Sequence, residues 1–174
     1  SLGGVVINAD SMQVYEEFRI LTARPSCLDE AIAPHRLYGS VSVTEAFSAG
    51  KWLEEAKREV VKAKEEGTVP ILVGGTGLYF RVLMQGLADI PKISEATRAQ
   101  ATRLHNEVGG ENFRAQLAER DPQSVSRIKV GDKQRLIRAW EVVEETGVSL
   151  SEWQARTNRG ALGGSFFVIR IMPD

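Results

Sequence analysis

Two short apolar runs, each ending abruptly in polar or glycine-rich sequence, constrain this chain more than anything else in it. Val5-Val6-Ile7 stops at Asn8-Ala9-Asp10-Ser11, and Val69-Pro70-Ile71-Leu72-Val73 stops at Gly74-Gly75-Thr76-Gly77. Runs of this length, rich in β-branched residues and bounded by turn formers, read as buried strands. Between them Thr44 opens a helical pattern over about Glu45–Glu66. Ala46, Trp52, Leu53, Ala56, Val60 and Ala63 form its apolar stripe, and Gly67 is its stop. Strand, helix and strand in succession imply a parallel pair with a right-handed crossover, hence an α/β chain. A further helix, Leu78–Gln85, follows the glycine run and is closed by Gly86.

In open parallel sheets, ligands bind beyond the carboxyl ends of the strands. Asp10 falls at one such end and is placed for chemistry. The same residue type also serves as a helix N-cap, so the local pattern leaves both roles open. The glycines of Gly74-Gly75-Thr76-Gly77 permit close approach of an anion, and the helix after them offers unpaired N–H groups. A tight turn would use the same glycines. The Lys-Ser/Thr ending of a Walker A loop is absent here, as is the dinucleotide-binding glycine pattern.

Composition narrows the class. The chain has 174 residues, 43% hydrophobic and 26% charged, with a net charge of −1. That fits one globular domain of ordinary size, and any nucleic-acid contact must come from a local patch. A single cysteine, Cys27, rules out an intrachain disulfide. No apolar run reaches membrane-spanning length and no signal peptide is visible. The first strand begins almost at residue 1, and Ser165–Met172 reads as a strand close to the last residue. The chain therefore reads as an internal piece of a longer protein.

From after Tyr15 to the helical pattern at Thr44 the chain, with Pro25, Pro34 and no clear period, reads as loop and holds Thr22-Ala23-Arg24-Pro25-Ser26 and Pro34-His35-Arg36-Leu37. From Pro91 the pattern becomes helical throughout. Helices are expected from Ile93-Ser94-Glu95 to Val108, ended by Gly109-Gly110, and then over Glu111–Glu119 and Gln123–Arg127. Two more are expected over Lys133–Glu145, capped by Asp132 and ended by Gly147, and from Ser149 through Trp153. The expected organisation is an α/β core over 1–90 and about 160–174, with an all-helical insertion over about 91–158. Within the helical part, Arg127, Lys129, Lys133, Arg135 and Arg138 face one acid, Asp132. Such a cluster neutralises phosphates, although a solvated helix face has the same composition. Leu136, Ile137, Ala139, Trp140 and Val143 supply that helix's buried side.

Five motifs in order resemble one family along nearly the whole chain. They are Asn8-Ala9-Asp10-Ser11-Met12-Gln13-Val14-Tyr15, Thr22-Ala23-Arg24-Pro25, Pro34-His35-Arg36-Leu37, Gly74-Gly75-Thr76-Gly77-Leu78-Tyr79 and Gln134-Arg135-Leu136-Ile137-Arg138-Ala139-Trp140-Glu141-Val142. Together they look like the bacterial-type tRNA dimethylallyltransferases, also called tRNA isopentenyltransferases. The resemblance implies a P-loop-kinase-like parallel core and a helical insertion that grips the anticodon stem-loop. It implies transfer of a dimethylallyl group from dimethylallyl diphosphate to N6 of adenosine 37 of tRNA, with Mg²⁺, by a nucleotide-binding cytoplasmic enzyme that is a monomer when complete. Asp10 matches the family's general base. Asp10, Ser11, Met12, Gln13, Thr76, Arg98, Gln134, Arg135, Leu136, Ile137 and Arg138 match tRNA contacts, and Gly74, Gly75, Thr76 and Gly77 are assigned to diphosphate. No metal ligand is assigned within the chain.

The sequence departs from the family pattern in several places. The family's phosphate-binding loop, with its lysine and Mg²⁺-holding hydroxyl, would lie before Ser1, and a further basic helix after Asp174, so the chain by itself is expected to be inactive. Arg24 stands where the family usually has Lys, and Tyr38-Gly39 where many members have an acid. Two rival readings are an adenylate isopentenyltransferase acting on free nucleotide and a non-catalytic RNA-binding module.

Overall fold

The structure, a computed structural model, describes residues 3–156 and 160–172. The chain divides into two compact units, Ser1–Leu87 with Gly160–Asp174, and Ala88–Arg159. The expected end of the helical part, near 158, lies outside the described residues.

The first unit is a parallel α/β layer. Its elements are β1 (Gly4–Asn8), α1 (Cys27–Ile32), β2 (His35–Arg36), α2 (Ala49–Glu65), β3 (Val69–Val73) and α3 (Gly77–Gln85). The sheet order is β2-β1-β3, and both pairings are parallel, as the two apolar runs imply. β1 is the central strand, with Val5 and Ile7 fully buried. β3 is an edge strand: Val69 and Val73, read from sequence as buried, are 48% and 47% exposed. Apolar content marks a strand but does not fix its place in the sheet.

The long helix differs at its start. It begins at Ala49, and Ser48 is the cap, accepting from the Lys51 amide; Thr44 and Ala46 precede it. Trp52, Leu53, Ala56, Val60 and Ala63 are its buried face. Full burial of side chains the size of Leu is worth about 1.5–3 kcal/mol each. Trp52 stacks on Tyr79 of α3, with ring centroids 4.2 Å apart at 10°. Two further elements fall where a loop is expected. Ser26 caps α1 through a reciprocal box with Asp29. β2 is only His35–Arg36, joined to β1 by the Val6 amide donating to the Pro34 carbonyl at 2.9 Å. The expected strand over Ser165–Met172 does not form: these residues have no ladder, and Phe167 and Ile171 are 91% and 90% exposed. β-branching commits a segment to a strand only when a neighbouring edge supplies hydrogen bonds, and neither β2 nor β3 pairs with it.

The second unit is all helix among the described residues: α4 (Glu95–Arg120), α5 (Pro122–Arg127), α6 (Lys133–Thr146) and α7 (Leu150–Ala155). α4 is broken at Gly109, whose φ of 78° and ψ of 161° leave the helical region. The range thus holds two helices that meet at a glycine break, as the sequence implies. Gly147, left-handed at φ 68°, ends α6. Ala101, Phe113, Leu117, Leu136, Ala139 and Trp140 belong to a shared core. Asp121 is buried at the α4–α5 junction, where it caps α5 through the Ser124 amide (3.0 Å) and accepts from the Ser151 amide (3.1 Å) and hydroxyl (2.5 Å). Burial pushes its carboxyl up, but the hydrogen bonds from Ser124 and Ser151 outweigh that and hold it below the usual carboxylate range.

Candidate functional site

The carboxyl ends of β1 and β3 are pressed together. The Ala9 amide donates to the Val73 carbonyl (2.8 Å), and the Thr76 amide donates to the Ala9 carbonyl (3.2 Å). Gly74 makes this possible. A Cβ there would stand 2.2 Å from the Ala9 carbonyl carbon and 2.6 Å from the Asp10 amide nitrogen. Thr76 bridges to the other loop: its Oγ1 accepts from the Ser11 amide (2.9 Å) and donates to Ser11 Oγ (3.2 Å). Thr76 is also the N-cap of α3 but makes no side-chain cap bond. Its hydroxyl is committed to Ser11, so the first amides of α3 keep no hydroxyl cap.

Asp10 is held rather than merely exposed. Its Oδ1 accepts from the Met12 amide (2.8 Å) and, more weakly, the Gln13 amide (3.4 Å). Its Oδ2 takes no hydrogen bond among the described residues and faces the glycine loop, 3.6 Å from where a Gly75 Cβ would be. Asn8, fully buried, fixes the Asp10 backbone from both sides. Its Oδ1 accepts from the Asp10 amide (2.8 Å), and its Nδ2 donates to the carbonyls of Asp10 (3.0 Å) and Leu37 (3.1 Å). Trp52 Nε1 in turn donates to the Asn8 carbonyl at 2.8 Å. Two phenols lie in the electrostatic reach of Asp10. Burial raises Tyr38, with the Asp10 charge adding to the rise. Burial, then Tyr15 and Asp10, pushes Tyr79 up to about 12. Both remain protonated donors at neutral pH.

Asp10, Ser11, Thr76 and the glycine loop are therefore one site. Gln13 is bound away from it, its amide donating to the Thr22 carbonyl (2.9 Å), while Met12 is 50% exposed. Arg24 lies across Gly39, where φ is +55° and a Cβ would meet the guanidinium, and it donates to the carbonyls of Tyr15 (3.1 Å) and Glu16 (3.2 Å). Its charge is spent on holding loops. A groove of about 430 Å³ with Val41, Glu45, Lys51, Glu54 and Arg58 in its wall includes none of these site residues. Asn8, Tyr38 and Trp52 were given no site role of their own from sequence; the one signal for Asn8 is its polar side chain at the end of the apolar run.

The remaining candidates lie in the helical unit. Gln134 and Arg135 are exposed, and the Arg135 side chain keeps 73% of its surface while pairing with Asp132 at 3.4 Å. Arg98 and Arg138 are partly exposed, at 57% and 42%, and both pair with Glu141. Leu136 takes the buried place that the apolar spacing of its helix implies, against the contact that the family resemblance implies for its side chain. It is fully buried against the helical core, so its side chain is not offered to a ligand and serves to seat α6. Ile137 is half-buried.

Among the described residues no group of three or more His, Cys, Asp or Glu could hold a metal ion. The donors that this chain brings to the junction are the Asp10 carboxylate and the Ser11 and Thr76 hydroxyls. That set is too small for a self-contained cage and fits an ion held chiefly by diphosphate oxygens and water. No described helix is long and apolar enough to cross a membrane.

Comparison with known proteins gives this arrangement a family. The tRNA dimethylallyltransferase of Paramagnetospirillum magneticum is 48% identical over 172 residues, 99% of this chain and 55% of that protein. The tRNA dimethylallyltransferase of Granulibacter bethesdensis is 49% identical over 172 residues, 99% of this chain and 54% of that protein. The chain thus spans about half the length of the curated relatives it matches. A crystal structure of a eukaryotic dimethylallyltransferase acting on tRNA matches with a TM-score of 0.73 at 24% identity, covering 92% of this chain and 40% of that one. This likeness places the α/β core in the P-loop-kinase-like class. A family model described as IPP transferase matches residues 13–173, and the chain belongs to that family.

Proposed function

We propose that this chain carries the base-bearing site and the RNA-binding helices of a tRNA dimethylallyltransferase, acting in the cytoplasm as a monomer. The observation that carries the reading is Asp10: a carboxylate at the end of the central strand, one oxygen fixed by the Met12 amide and the other open toward a glycine loop. Family membership and the names of the curated relatives support the same reading.

The chemistry needs such a group. The N6 amine of adenosine 37 is a weak nucleophile, because its lone pair is delocalised into the ring. Its attack on C1 of dimethylallyl diphosphate forms a C–N bond and breaks the C–O bond, and diphosphate leaves with the electron pair. Positive charge develops on N6, and the open Asp10 oxygen takes the N6 proton as the bond forms. The Ser11 hydroxyl, held in place by Thr76, and the first amides of α3 are donors to diphosphate. Mg²⁺, when bound to the diphosphate, offsets the charge of the leaving group. Gln134, Arg135, Arg138 and Arg98 contact the RNA of the anticodon stem-loop, whose unstacked loop bases suit such recognition.

The test is product analysis. A full-length enzyme carrying this chain is incubated with dimethylallyl diphosphate, Mg²⁺ and either an anticodon stem-loop RNA or AMP, and products are read by mass spectrometry. A dimethylallyl adduct on the adenosine 3′ to the anticodon supports the proposal. An adduct on AMP alone overturns it in favour of a free-nucleotide enzyme.

A further inference from the structure

Glu141 is the one acid of α6 that lies fully within the helical core, at 4% exposure. Burying a carboxylate costs free energy unless it is paired. Each of its oxygens takes one arginine. Oε1 is 3.6 Å from Arg98 Nε, reaching across from α4, and Oε2 is 3.4 Å from an Nη of Arg138, one turn back on α6. The arginines themselves stay open, with 57% and 42% of their side-chain surface exposed. Glu141 therefore grips one edge of each guanidinium and leaves the remaining donors of the fork facing outward. Arg98, held through Nε, keeps both terminal nitrogens for a planar anion. Arg135 is the contrast: its side chain is 73% exposed, and among the described residues its ion pair is with Asp132, a partly exposed neighbour three residues away.

We propose that Glu141 is a positioning residue for RNA binding, fixing Arg98 and Arg138 as a preformed pair of phosphate clamps. The proposal rests on the reading of this unit as the tRNA-binding part. Lost side-chain freedom is a main cost of forming an interface. Two arginines already ordered by a buried acid meet less of that cost when they engage phosphates. The sign of the effect is distinctive. Removing an acid near RNA ordinarily tightens binding, because one repulsive charge is gone. Removing Glu141 should weaken it.

The experiment measures binding of an anticodon stem-loop RNA by fluorescence anisotropy across a salt series. The proteins are the unaltered chain, Glu141→Gln, Arg98→Lys, Arg98→Ala/Arg138→Ala, and Glu141→Gln in that double background. Glu141→Gln is expected to weaken binding about tenfold, the scale set by having to order two long side chains during binding. It should have no further effect in the double background. Arg98→Lys keeps the charge and an exposed stem, so it should fold, and it too should weaken binding severalfold. Unchanged or tighter binding by Glu141→Gln, an equal loss in the double background, or unchanged binding by Arg98→Lys would overturn the positioning role. Unchanged binding by Arg98→Ala/Arg138→Ala would overturn the RNA-binding reading beneath it.

Discussion

Gly74→Ala tests how tightly the two strand ends must approach. The added Cβ would stand 2.2 Å from the Ala9 carbonyl carbon, 2.3 Å from its oxygen and 2.6 Å from the Asp10 amide nitrogen. All three are backbone atoms, so no side-chain rotation relieves the overlap. Overpacking of this sort costs about 1–3 kcal/mol, and a backbone obstacle puts this case at the upper end. Relief requires the strand ends to part, which stretches the Thr76 amide to Ala9 carbonyl bond and shifts Asp10. A displacement near 1 Å in a reacting group lowers rate by about 10²-fold. Neighbouring glycines are the control. A Cβ at Gly75 meets only Asp10 Oδ2 at 3.6 Å, and one at Gly77 meets nothing within 4 Å. Urea unfolding and single-turnover prenyl transfer, run on Gly74→Ala, Gly75→Ala and Gly77→Ala in a full-length enzyme carrying this chain, separate the three. Gly74→Ala alone should lose both stability and rate. Equal midpoints and equal rates for all three would refute the close approach.

Asn8→Ala should destabilise the first unit by about 1–3 kcal/mol, since it strands the Asp10 amide and the Leu37 carbonyl, and urea midpoints read this directly. Trp52→Phe keeps the stack on Tyr79 but removes the donor to the Asn8 carbonyl. A loss on the order of 1 kcal/mol is expected in the same assay. Asp121 is held below its usual value, so its charged form stabilises the helical unit above the unfolded value of 3.8, and that contribution disappears as pH falls through the lower folded value. An acid titration followed by circular dichroism should show this loss below about pH 4, and Asp121→Asn should reduce the dependence.

How far the sequence reveals the fold follows from how each element is stabilised. β1 and Asp10 were legible because a β-branched run meets an abrupt polar stop. Most helices of the second unit were legible because Asp121, Asp132 and Ser149 cap them and Gly109 and Gly147 interrupt or end them. β2 was not, because His35-Arg36 has no strand pattern of its own and becomes a strand only through pairing with β1. The start of α2 reads too early from sequence, at Thr44: Ser48 is the cap, and the apolar stripe becomes dense only at Trp52. In the site, the family resemblance assigns Gln134-Arg135-Leu136-Ile137-Arg138 as one contact segment, although the apolar spacing alone puts Leu136 on the buried side. Helical period instead turns Leu136 inward with Ala139, Trp140 and Val143, and leaves Gln134 and Arg135 outside. Only the part of the Asn8 role that involves Asp10 is local; its other partners, Leu37 and Trp52, are distant in sequence.

The central claim is that the open oxygen of Asp10 accepts the N6 proton. Asp10→Asn keeps Oδ1 for the Met12 amide and so preserves the turn, while removing the basic oxygen. The measurement is single-turnover transfer of dimethylallyl to stem-loop RNA by a full-length enzyme carrying this chain, with RNA affinity determined alongside. A rate lowered by about 10²–10⁴-fold at unchanged affinity is the predicted result. A rate equal to that of the unaltered protein would contradict the account.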